Sequence, residues 1–414
     1  MQTNLADFIR DTPEGKEAEA ILRKCTHCGM CTATCPTYQL LSDELDGPRG
    51  RIYLIKQVLE GVVPTARTQL HLDRCLTCRA CETTCPTGVR YGRLVDIGRR
   101  LVEERVTRGP GESVWRGALN AVIPNSHLFG PLLKLGQLAR PLLPSALKRK
   151  VPPVTAPAGP WPAAAHARRM LVLEGCVQPS LSPATNTAAA RVLDRLGITL
   201  VRAQGAACCG GVSFHLNRQD SALDTMRATI NAWWPHIQQG AEAIVITASG
   251  CGVTVKEYGH LLGHDPAYAE KAKRISELTK DISEIIIAEQ AKLEPLCTQH
   301  SALSTQRVAF HSPCTLQHGL RLKGTVENLL ASLGYSLTPV PDAHLCCGSA
   351  GTYSISQPAL SQRLLANKIA ALASGGPTAI LTANIGCQAH IQSATPLAVR
   401  HWIEALDESL SPSG

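Results

Sequence analysis

Aromatic residues are scarce in this chain of 414 residues, at 4%, so its cores must be built from Leu, Ile, Val and Ala. Long apolar runs are missing too. No segment approaches the roughly eighteen consecutive apolar residues of a membrane-spanning helix. Met1 to Lys24 is polar, with no apolar stretch of the kind a secretory signal carries. Glycine-rich nucleotide loops are absent: no G-x-G-x-x-G opens a helix after a strand, and there is no P-loop. No basic run is interleaved with aromatics, which argues against nucleic acid as a partner, although the formal net charge is +8.

Cysteine, by contrast, is plentiful, with 17 residues. Without a secretory segment, that number points to a reducing cytoplasm and to metal ligation. Eight of the cysteines form two runs, Cys25-Thr-His-Cys28-Gly-Met-Cys31-Thr-Ala-Thr-Cys35-Pro36 and Cys75-Leu-Thr-Cys78-Arg-Ala-Cys81-Glu-Thr-Thr-Cys85-Pro86. Both read C-x2-C-x2-C-x3-C-P, the spacing for two [4Fe–4S] clusters. Three thiolates separated by two residues curl around one cubane; the fourth is carried off by the proline to the other cluster. The expected ligand sets are therefore crossed. Cluster 1 takes Cys25, Cys28, Cys31 and Cys85; cluster 2 takes Cys75, Cys78, Cys81 and Cys35. A zinc site uses four ligands, commonly as two separated pairs, and a C-x-x-C redox pair needs neither the third and fourth cysteines nor the duplication. Each cubane with its thiolates carries roughly −2, so part of the positive balance offsets cluster charge.

Apolar periodicity places helices around these runs: Ala18, Ile21 and Leu22 before the first, Ile52, Ile55 and Leu59 between them, Leu94, Ile97, Leu101 and Val102 after the second. That pattern predicts an α-helical ferredoxin domain over 1–110. Gly47-Pro-Arg-Gly-Arg51 reads as a turn and helix start, and Arg49 and Arg51 are also candidates to place positive charge beside a cluster. Residues 111–167 read as a linker with amphipathic helices. Within it, 127–150 mixes Leu132, Leu133, Leu135, Leu138, Leu142 and Leu143 with Lys134, Arg140, Lys148, Arg149 and Lys150. Such a stretch either packs on the cluster domain or a partner subunit, or lies on an anionic membrane.

Beyond 168, strand-like and helix-like segments alternate, which predicts parallel, doubly wound sheets. The order repeats. Cys176 and Cys314 are 138 positions apart, as are Cys208 and Cys346. This is an internal duplication and gives two α/β domains over 168–290 and 307–414. Each offers one cysteine after its first strand, an adjacent pair after its second and one after a later strand: Cys176, Cys208, Cys209, Cys251, then Cys314, Cys346, Cys347, Cys387. Ligands of open α/β sheets bind beyond the carboxyl ends of the strands, so each set can converge on one site. A further iron–sulfur cluster, zinc, thiol redox work and unliganded buried cysteines remain open for these sets. Cys297 matches nothing in the repeat and reads as a free thiol. The overall class is α+β and multidomain.

The motifs Cys208-Cys209-Gly210 and Cys346-Cys347-Gly348, each flanked by single cysteines, resemble the duplicated cysteine-rich CCG domain. It occurs in heterodisulfide reductases and in the iron–sulfur subunits of lactate-utilisation, anaerobic glycerol-3-phosphate dehydrogenase and glycolate oxidase systems. Gly47-Pro-Arg-Gly-Arg-Ile52, Thr247-Ala-Ser-Gly-Cys-Gly252 and Thr382-Ala-Asn-Ile-Gly-Cys387 look like the last of these. The resemblance implies an electron-transfer subunit with two FAD-binding-type partner subunits. In such a complex glycolate becomes glyoxylate on the flavin, and electrons pass through the two clusters toward a quinone-type acceptor. D-lactate or glycerol 3-phosphate as the substrate, or heterodisulfide-type reduction, are the alternatives. No flavin and no catalytic residue are expected in this chain; its place is cytoplasmic or peripheral on the inner membrane. The fullest CCG pattern has five cysteines per half, and Ala248 and Asn384 stand at the fifth position here.

Overall fold

The computed structural model describes residues 1–144, 148, 151–155, 157–298 and 307–410. The Cys297 side chain lies outside the described residues, as do five positions of the basic stretch, 145–147 and 149–150.

The N-terminal part is helical, as its periodicity predicts. Helix Pro13–Lys24 starts on Thr12, whose side chain accepts from the Gly15 N–H, with Pro13 in the first turn. Helix Pro48–Leu59 buries Ile52, Ile55 and Leu59, and helix Tyr91–Arg105 buries Leu94, Ile97, Leu101 and Val102. These two helices pack closely because Gly98 lets them: a Cβ there would stand 2.6 Å from Ile55 Cγ1. The resulting core runs from Leu5 to Val102 and includes Cys25, Cys75 and Cys81.

Helices Pro110–Val122 and Ser126–Ala139 follow. Leu119 of the first is buried, but most of their apolar stripe is not. Val114, Trp115, Leu128, Leu132, Leu135, Leu138 and Leu142 are exposed, and Gly130 is the buried residue of the second helix. Packing on the cluster domain therefore does not account for this stripe. Among the described residues no helix is long and apolar enough to cross a membrane.

Two four-stranded parallel sheets follow. Strands β1 (Arg168–Val172), β2 (Ile198–Arg202), β3 (Ile244–Ile246) and β4 (Thr279–Asp281) lie in the order β2-β1-β3-β4. Strands β5 (Arg307–His311), β6 (Ser336–Thr338), β7 (Ala379–Thr382) and β8 (Ala398–His401) repeat it as β6-β5-β7-β8. The direction of winding reverses between β1 and β3 and between β5 and β7, the switch point at which open sheets bind ligands. The two halves are not separate globules. One core joins Val172, Leu193 and Ile198 of the first to Val308, Leu330 and Trp402 of the second. Across it, Asp407 pairs with Arg191 and Arg195, and Glu404 accepts from Ser182 at 2.9 Å.

Candidate metal centres

The two cysteine runs bend around two adjoining pockets. One, of about 430 Å³, is lined by Cys25, Cys28, Cys31, Cys81 and Cys85. The other, of about 360 Å³, is lined by Cys35, Cys75, Cys78 and Cys81. Short helical turns at Met30–Thr32 and Ala80–Thr83 carry the third cysteine of each run. Backbone and side-chain donors already face the sulfurs: Thr77 N–H to Cys75 at 3.4 Å, Val89 N–H to Cys85 at 3.5 Å and Tyr91 O–H to Cys75 at 3.6 Å. Burial and the neighbouring Cys25 push the Cys31 thiol up to about 11. Burial also raises the Cys85 thiol, but hydrogen bonds from Thr87, Val89 and Gly88 outweigh it and bring it down. Soft thiolate donors, at least four around each pocket, fit an iron–sulfur cluster, whose positive irons relieve this crowding of sulfur.

Arg49 and Arg51 do two things at once: they begin helix Pro48–Leu59, and they flank the pockets. The Arg49 guanidinium, paired with Glu44 at 2.6 Å, lies against Gly29, and Arg49 lines the first pocket. Arg51 is 1% exposed and lines the second. Burial opposes its charge, but Cys75, Tyr91, Cys35 and Asp46 outweigh that and hold the proton on. It donates to His71 O at 2.7 Å and Thr37 Oγ1 at 3.1 Å. Asp46, fully buried, is shared by Arg51, Arg74 and His71. The pockets differ in exposure. Cys28 is exposed, as is Met30 in the same pocket wall, whereas Cys35, Cys75 and Cys81 are buried.

In each α/β half the four cysteines converge at the strand ends. Cys208 hydrogen-bonds to Cys176 and Cys209, and Cys209 to Cys251. Those thiol contacts, then burial, push Cys208 far up, while Cys209 is pulled down by hydrogen bonds from Cys208 and Cys251. In the second half Cys314 and Cys346 stand 3.8 Å apart, and Cys347 contacts both Cys346 and Cys387. The glycine after each pair explains the C-C-G triplet. Gly210 and Gly348 have φ of +81° and +89°, a conformation open to glycine. That turn aims the Gly210 N–H at Cys208 Sγ and the Gly348 N–H at Cys346 Sγ, each at 3.4 Å. A Cβ on Gly348 would stand 2.7 Å from Ser361 O. None of the sixteen described cysteines forms a disulfide.

Three features were not read from the sequence. The second half abuts the second ferredoxin pocket: Leu76 and Cys78 share an apolar cluster with Cys314, Cys346, Tyr353, Leu360 and Leu364. Tyr353 O–H donates to Arg74 O at 3.2 Å, and Thr83 Oγ1 meets His318 Nδ1 at 2.9 Å. Asn384, at the fifth-cysteine position, spans the halves, accepting from Gly250 N–H at 3.2 Å and donating to Cys387 Sγ at 3.4 Å. His311 lies buried beside Cys347 and Cys387.

Residues 21–89 match the family described as 4Fe-4S dicluster domain, and residues 170–256 and 308–392 each match the family described as Cysteine-rich domain. The chain is 55% identical over 410 residues to a glycolate oxidase iron-sulfur subunit of Escherichia coli (strain K12), covering 99% of both chains. It is 29% identical over 402 residues to a probable glycolate oxidase iron-sulfur subunit of Bacillus subtilis (strain 168), covering 89% of this chain and 88% of that one. Lactate utilization protein A of Bacillus licheniformis is 27% identical over 241 residues, 56% of this chain and 96% of that protein.

Proposed function

We propose that this chain, which belongs to the glycolate oxidase iron–sulfur subunit family, is the electron-transfer subunit of a flavin-dependent glycolate dehydrogenase. Two FAD-binding-type subunits would take the hydride equivalent from glycolate, and a quinone-type molecule would accept the electrons. Bound [4Fe–4S] clusters supply one-electron relay between them. The observation that carries this reading is the pair of pockets, one lined by five cysteines and the other by four, each drawing on both runs. We assign cluster 1 to Cys25, Cys28, Cys31 and Cys85, and cluster 2 to Cys75, Cys78, Cys81 and Cys35. In both half-domains the cysteines are proposed as further metal ligands, Cys176, Cys208, Cys209 and Cys251 in the first and Cys314, Cys346, Cys347 and Cys387 in the second.

The chain's own residues set polarity and access. Arg51 and Asp46 keep a buried, charge-balanced wall beside cluster 2, and Leu76 with Tyr353 excludes water from the side facing the second half. The rim at Cys28 and Met30 is the open side, and we assign it to the flavin-bearing partner. We read the chain as four parts, 1–110, 111–167, 168–290 and 307–414. The exposed stripe Leu128, Leu132, Leu135 and Leu138, with Lys134 and Arg140 nearby, is read as a peripheral contact with an anionic membrane. Sedimentation with anionic vesicles that is lost in Leu135→Glu would support that contact; equal sedimentation of the variant would refute it.

The central test is anaerobic. The chain should carry about eight irons for two cubanes, and glycolate added to the complete complex should reduce them, as seen by electron paramagnetic resonance. Clusters that dithionite reduces but glycolate does not would sink the glycolate assignment. Four irons or fewer would sink the ligand sets.

A further inference from the structure

The second cysteine-rich half contains a donor that its counterpart lacks. His311 ends β5, three residues before Cys314; the same offset before Cys176 is Leu173. His311 is 2% exposed and its Nε2 has no hydrogen-bond partner. An unpaired buried imidazole nitrogen is costly. A nitrogen of that ring and the sulfurs of Cys347 and Cys387 lie within 4.8 Å of one another. Ligands of one tetrahedral ion stand roughly 3.5 Å apart, from bonds of about 2.0–2.3 Å, so a small inward movement of the three side chains encloses a single metal. The site is also otherwise prepared. Asn384 Nδ2 donates to Cys387 Sγ, an outer contact that orients a ligand sulfur.

We propose that His311 is a metal ligand, and that with Cys347 and Cys387 it binds a thiophilic transition-metal centre through mixed imidazole and thiolate donors. On binding a dication, the two thiols release their protons to solvent and the neutral imidazole releases none, so the charge of the ion is neutralised within the site. The fourth position remains for a further thiolate or for water. The first half, with Leu173 in place of the imidazole, binds through thiolates alone. This inference does not depend on which substrate the complex oxidises.

The test uses the full chain in its complex, purified without oxygen, with zinc and iron counted per chain. His311→Ala is expected to lose about one zinc, or the iron in excess of the roughly eight that two cubanes hold. Loss of zinc identifies a single ion; loss of iron, together with loss of a nitrogen hyperfine coupling, identifies a cluster iron. In either case His311→Cys should retain the metal, because a thiolate replaces the imidazole, and ferredoxin cluster signals should be unchanged in both variants. Unchanged metal content and unchanged nitrogen coupling in His311→Ala would overturn the proposal. A measurement on the unaltered protein guards against misfolded variants: X-ray absorption at the edge of the metal in this half should show a nitrogen scatterer beside sulfur, and an all-sulfur shell would overturn it equally.

Discussion

The two cysteine-rich halves share strand order, cysteine positions and the left-handed glycine after each cysteine pair, yet they sit in different surroundings. The first half meets the ferredoxin domain through polar contacts: Arg79 pairs with Glu257, His260 with Glu17, and Asn217 Nδ2 donates to Glu103 Oε2. The second adds to its own polar contacts, Tyr353 with Arg74 and His318 with Thr83, an apolar cluster that contains Cys78, Cys314 and Cys346. The first has Leu173 where the second has His311. Duplication sets the thiols because it sets the strand ends, and parallel topology brings those ends together. It does not set what borders them. The difference in neighbours brings Cys314 and Cys346 of the second half up to Cys78 of the ferredoxin domain.

The largest expected effects test whether the halves are separate in stability. Trp402 is fully buried in the core the halves share, and Trp233 is fully buried in a core that belongs to the first half. Each change to Ala should cost about 3–5 kcal/mol. Hydrogen exchange should show β1, β2 and β5 all loosened in Trp402→Ala, and β5 still protected in Trp233→Ala. Protection lost equally everywhere in both variants would mean that the halves unfold as one unit.

A second test contrasts two residues at the same place in the repeat. Asp281 ends β4 and His401 ends β8, and each caps the helix that follows. Burial pushes the Asp281 carboxyl up to about 6, against hydrogen bonds from Ser283. Burial pushes His401 down to about 4, against its bond to Thr247 O at 2.8 Å. Their effects on stability have opposite signs. Between pH 6.5 and 4 the unfolded chain protonates His401 before the folded one does, so stability falls as pH falls. Between pH 6 and 3.8 the folded chain holds the Asp281 proton more tightly, so stability rises as pH falls. Each term is on the order of 3 kcal/mol across its whole window. Urea unfolding from pH 7.5 to 5 should show a steeper acid loss in Asp281→Asn than in the unaltered chain, and a shallower one in His401→Gln. Parallel curves for all three would refute the contrast.

Much of this was visible in the chain itself. Helices 13–24, 48–59 and 91–105 announce themselves by Ile and Leu at helical spacing, and six of the eight strands by short apolar runs at matched offsets. The strands that escape are β4, Thr-Lys-Asp, and β8, Ala-Val-Arg-His. They are short and polar, buried by position at the sheet edge rather than by composition. His311 escapes for a related reason: it reads as the last residue of a strand, and only the fold brings Cys347 and Cys387 beside it. The apposition of Cys78 and Cys314 is likewise a property of how two domains dock, which no local spacing encodes.

The smallest expected effect concerns the position at which both halves lack the fifth cysteine. Asn384 is not a passive replacement, because its amide uses both ends: Oδ1 takes the Gly250 N–H of the first half and Nδ2 faces Cys387 Sγ. Ala248 has no such side chain. Asn384→Cys therefore removes a bond between the halves while adding a thiol, and Ala248→Cys adds a thiol while breaking nothing. The lost hydrogen bond is worth about 0.5–1.5 kcal/mol, which over the two halves is a fall of roughly 1–6 °C in Tm, with a smaller change for Ala248→Cys. If the two variants melt together, the amide does not bridge the halves, and at this position the repeat is symmetric after all. If only Asn384→Cys melts early, then a position left over from a metal-binding pattern serves here to hold the second half against the first.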